Sequence, residues 1–137
     1  SKLLATKKDP VYSDLKGLIE KRKHIGHLTD ESAQALIERA VVAGEKGFVW
    51  RTDPRLRLPS PVRLLEEQVL EVLSKITCPV LLIKANSGLP YDKEQMKWRS
   101  ETIKNLQIVN IEGKHHVHMD NPDEVSAAIL EFVNNTK

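Results

Sequence analysis

Apolar positions recur at helical spacing through the first third of the chain. Tyr12, Leu15, Leu18 and Ile19 form one stripe, and Ala33, Leu36, Ile37, Ala40 and Val41 form a second. The pattern predicts two short helices. For the second, Thr29 stands where an N-cap belongs, Asp30 and Glu31 follow beside the helix dipole, and Gly44 marks an end. HIGHLT, residues 24–29, reads as the connection. From Gly47 to Pro61 the periodicity breaks into GFVWRTDPRLRLPSP, whose three prolines predict an extended crossing with no regular sheet partner. Ser60 and Pro61 then read as the N-cap and first position of a third helix, with Leu65, Val69, Val72, Leu73 and Ile76 as its apolar face.

The rhythm changes at CPVLLIKA, residues 78–85, a continuous β-rich run of the kind covered on both faces in a parallel sheet. The loop NSGLPYD follows, Lys93 to Asn105 reads as helical, and LQIVNIEG gives a second strand. The last helix is the most fully specified element. Asn121 is its N-cap, Pro122 its first position, Asp123 and Glu124 face the positive end, and Val125, Ala128, Ile129, Phe132 and Val133 make the stripe. Strand, helix, strand and helix in this order predict a right-handed parallel α/β unit. Two such strands cannot cover both of their apolar faces alone. The pattern therefore predicts that further strands come from a companion segment.

Composition narrows the function classes. With 40% apolar and 29% charged residues among 137, the chain falls in the globular range and can bury a modest core. A net charge of +2, with basic clusters KKDP and KRKH that no aromatic residue interrupts, argues against nucleic acid as a partner. A single cysteine, Cys78, forms no internal disulfide and makes a cytoplasmic location the default. Its place before an apolar strand predicts a buried, inert thiol. The apolar runs are too short for a membrane span, and the start lacks the apolar core of a signal peptide. Ser1 in place of a methionine raises the expectation that residues were removed upstream.

The candidate chemistry lies in IEGKHHVHMDNPDEV, where His115, His116 and His118 crowd the start of the last helix. Gly113 permits a sharp turn, so His115 falls just beyond a strand's carboxyl end, where doubly wound sheets bind ligands. An imidazole there can shuttle protons. The spacing from Gly113 through His115 and His118 to Pro122 resembles the closing segment of α/β-hydrolases. The resemblance covers nearly the whole chain. Within that superfamily, GFVWRTDPRLRLPSP, PVLLIKA and GKHHVHM are most similar to the serine hydrolase-like proteins.

The resemblance implies an α/β architecture in which residues 62–137 form the C-terminal half of an α/β-hydrolase core. Residues 1–61 would form a helical cap segment and crossing linker. It also implies a serine hydrolase acting on a small-molecule ester, thioester or amide, with His115 as general base and then general acid, and with neither a metal nor an organic cofactor. The chain departs from the family pattern in two ways. No G-x-S-x-G occurs, so the nucleophile would belong to an N-terminal half acting as partner. The usual acid position falls near Gly88; Asp92, four residues on, is the carboxylate of that loop. Asp92 reads equally as the triad acid and as the N-cap of the helix from Lys93, and some family members place the acid after an earlier strand.

His116 and His118 read as packing or hydrogen-bonding residues of the turn, since neighbouring histidines point apart and no cysteine or carboxylate pattern completes a zinc site. Trp50 is a candidate pocket residue. A second functional reading follows from Gly88: a non-catalytic relative that keeps the fold as a binding or interaction module.

Overall fold

Asp14 starts the first helix, its carboxylate accepting the Gly17 N–H at 2.6 Å. Helix α1 (Leu15–Gly26) runs through the first half of the expected connection and ends at His27, which adopts a left-handed φ of 51°. Helix α2 (Asp30–Ala40) is capped as predicted by Thr29, whose hydroxyl accepts the Ser32 N–H at 3.2 Å. The two helices pack together and bury Leu18, Leu28, Ala33 and Ile37. Each large aliphatic side chain so buried stabilises the pair by about 1.5–3 kcal/mol. The computed structural model describes residues 11–60 and 62–136, and the chain divides into two units between Val62 and Arg63.

Two expectations for the first unit need correction. Helix α2 ends at Ala40 rather than near Gly44, because Val41–Gly44 is a strand, β1, paired antiparallel with β2 (Gly47–Trp50). The segment expected to lack a sheet partner thus begins with one. The β-branched Val41 and Val42 favour extended backbone, and Gly44 and Gly47 flank a two-residue turn at Glu45 and Lys46. Gly47 has a φ of 134°, and its missing side chain leaves room for the Tyr12 carbonyl, which accepts the Phe48 N–H at 2.8 Å. Beyond the hairpin, Asp53 starts a single 3-10 turn, Pro54–Arg57. Hydrogen bonds from the Arg55 side chain and backbone lower the Asp53 carboxyl to about 2.

In the second unit, helix α3 spans Glu66–Ser74, several residues later than the Ser60 cap implied. Its start is held by the Gln68 side chain, which accepts the Leu65 N–H at 2.9 Å, while the Ser60 hydroxyl donates to the Val62 carbonyl. Pro61 lies outside the described residues, as does the KKDP cluster. Strand β3 (Val80–Ser87) pairs parallel with β4 (Leu106–Lys114), in register from Val80 opposite Leu106 to Ala85 opposite Ile111. Helix α4 (Lys93–Thr102) connects them and packs on α3. The Arg99 guanidinium forks onto Glu66 at 2.7 and 2.8 Å, and these hydrogen bonds lower the Glu66 carboxyl below its usual value.

A single turn, α5 (Val117–Asp120), leads into α6 (Pro122–Asn135), capped by Asn121 as predicted and packed on both strands. Ile111, Val117 and Val125 are the buried centre, with Ile83, Ala85 and Val109 against them. Cys78 is exposed, not buried: it precedes β3 at Pro79, before the chain enters the sheet. Among the described residues this sheet has two strands, so each keeps one unpaired edge. Ile108 on β4 is 43% exposed and Leu130 on α6 is 62% exposed.

Candidate active site

Strand β4 carries the histidine turn at its carboxyl end. Ile111 is fully buried, and two residues later Gly113 turns the chain at a φ of 147°. A Cβ at Gly113 would lie 2.9 Å from the Val117 Cγ2. The bare glycine therefore lets Val117 reach the core, and residues 114–116 are drawn into a tight turn between these two points. The His116 carbonyl then accepts the Met119 and Asp120 N–H groups at 2.8 and 3.1 Å, which opens the short helical turn α5.

His115 stands exposed on this turn and lines a cleft of about 570 Å³. Gly88, Leu89 and Tyr91, from the loop that leaves β3, line the same cleft with Val117 and His118. The loops following two parallel strands thus share one concavity, where open α/β sheets bind ligands. The Lys84 ammonium lies 5.3 Å from the Tyr91 ring centroid and ties β3 to its own loop, a contact no local sequence signal announces.

Asp92 ends the loop as N-cap of α4, its carboxylate accepting the Gln95 N–H at 2.9 Å. Among the described residues no hydrogen bond joins it to His115, and it does not line the cleft. The His115 and His116 rings are 4.8 Å apart, and His116 and His118 meet edge to face at 5.9 Å. Among the described residues no group of three histidine, cysteine or carboxylate side chains could hold a metal ion. Trp50 is half-buried in β2.

No protein-family model matches the chain. A serine hydrolase-like protein of Danio rerio is 36% identical over 113 residues, covering 78% of this chain and 35% of that relative. A solved structure of a hypothetical protein from Pseudomonas aeruginosa PAO1 superposes with a TM-score of 0.83 at 31% identity, over 99% of this chain and 49% of the other. The thioesterase domain from the curacin biosynthetic pathway shares the fold at a TM-score of 0.77 and 24% identity, over 92% of this chain and 46% of its own. The chain belongs to the α/β-hydrolase superfamily. Its parallel pair β3 and β4 with their flanking helices form part of the α/β-hydrolase fold. This α/β-hydrolase chain spans 35 to 42% of the length of three curated relatives it matches. No helix among its described residues is long and apolar enough to cross a membrane.

Proposed function

We propose that this chain is the cap and C-terminal half of a serine hydrolase and supplies its catalytic histidine, His115. One observation carries the reading: His115 follows Gly113 beyond the carboxyl end of a parallel strand, exposed in the wall of a cleft. An imidazole held there takes the proton of a serine as it attacks an ester, thioester or amide carbonyl, and returns it to the leaving group. The serine and the amides that stabilise the oxyanion come from a companion segment carrying G-x-S-x-G, since the chain has no such motif. The chain alone is then inactive. Residues 1–61 serve as cap segment and crossing linker. The acid that fixes the His115 tautomer is Asp92, after release from its capping bond, or a carboxylate of the companion.

Expressed with its serine-bearing segment, the protein should label with a serine-directed fluorophosphonate. His115→Ala should slow labelling by about 10⁴-fold, the scale on which a triad member acts. Labelling of His115→Ala at the unsubstituted rate would contradict the assignment. A second reading, a non-catalytic binding module, is favoured by Gly88 at the acid position and by the Asp92 carboxylate already engaged with the Gln95 N–H. It predicts no serine labelling in any form of the protein.

A further inference from the structure

The ladder between β3 and β4 is regular from Val80 to Ala85 and then breaks. Ala85 lies opposite Ile111, but Ser87 lies opposite Lys114. Between these pairs β3 has one residue, Asn86, and β4 has two, Glu112 and Gly113. An extra residue of this kind is a β-bulge, uncommon in parallel pairs and recurrent beside active sites, where it re-aims the side chains that follow. The side chains at the irregularity are joined: the Asn86 amide donates to the Glu112 carboxylate at 2.8 Å, across 26 residues of sequence. His115 follows three residues after Glu112. Downstream, Val117 is fixed by burial against the bare Gly113. The histidine is therefore strung between one fixed point in the core and another at the strand ends.

We propose that Asn86 and Glu112 form a latch that positions His115, holding the bulge in the one arrangement that presents the imidazole to the cleft. The proposal rests on the hydrolase reading for its consequence, because an exposed imidazole needs fixed direction only if it must meet a reacting group. Neither residue lines the cleft, so both act through the backbone of the turn. An amide suits this position because it donates to a carboxylate without adding charge beside the imidazole. Asn86→Asp leaves the shape unchanged but sets two carboxylates against each other. Adding Glu112→Gln restores a donor and an acceptor with their roles exchanged.

The test is the rate of fluorophosphonate labelling, and its pH profile, in the protein carrying its serine segment. Asn86→Asp should slow labelling by about 10-fold or more, the effect of displacing a catalytic group by a fraction of an ångström to an ångström. The pair Asn86→Asp with Glu112→Gln should recover to within about threefold of the original rate, as coupled neighbours do in a double-mutant cycle. A double variant no faster than Asn86→Asp, or an Asn86→Asp variant as fast as the original, overturns the latch. Failure of the hydrolase reading shows separately, as absent labelling of the unsubstituted protein or undiminished labelling of His115→Ala. In that event the His115 ring resonances decide: Asn86→Asp must shift them and the double variant must return them. Unmoved resonances overturn the latch on their own.

Discussion

Gly113 is the residue on which the placement of His115 most depends. Its φ of 147° is strained for any side chain, and even a methyl group would press on Val117 inside the core. Gly113→Ala should lower stability by about 2–4 kcal/mol, combining backbone strain with overpacking. Urea unfolding of the protein joined to its serine segment measures this, and a loss below about 0.5 kcal/mol, the range of ordinary surface substitutions, would contradict it. At this scale the sequence was partly legible. The Gly113, His115, His118, Pro122 spacing pointed to the turn because a glycine before a histidine at a strand end is a local signal. In sequence, Asp92 serves equally as acid and as cap, since both roles use the same side chain at the same helix start. The structure shows the capping bond. Nothing local marked Asn86 or Glu112, whose partnership spans 26 residues.

Among the elements, those written as periodic or continuous apolar patterns are legible in type and order: α1, α2, both parallel strands and α6. The hairpin is not legible because Val41 continues the apolar stripe of α2, and only pairing with β2 distinguishes strand from helix. Ser60 and Pro61 imitate a cap ahead of α3, whereas Glu66 and Glu67 occupy the actual first turn. The junction of α3 and α4 gives a pH-dependent test. Glu66 is held below its usual value by hydrogen bonds from Arg99, so its contribution to stability is complete above the ordinary carboxylate range. That contribution is lost as pH falls through the lowered folded value. Arg99→Ala should return the Glu66 titration, followed by carboxyl carbon resonances, to the ordinary range and remove this part of the acid sensitivity. An unmoved Glu66 midpoint would show that the fork does not set it.

At the scale of the whole molecule, the second unit has a core centred on Ile111, Val117 and Val125 but a sheet with two unpaired edges among its described residues. Ile108, Ile129, Leu130 and Val133 remain substantially exposed beside it. Parallel sheets are stable when several strands are covered by helices, and open apolar edges favour association. These features, with the absent G-x-S-x-G, support a single claim: a companion segment completes both the sheet and the catalytic site. Amide hydrogen exchange of β3 and β4, compared between the isolated chain and the chain joined to its serine segment, tests that claim most directly. We expect Val80–Lys84 and Gln107–Ile111 to exchange rapidly, or the sample to aggregate, when the chain is alone, and the same amides to be strongly protected in the joined protein. A monodisperse monomer with a cooperative melt and equally protected strand amides would contradict it.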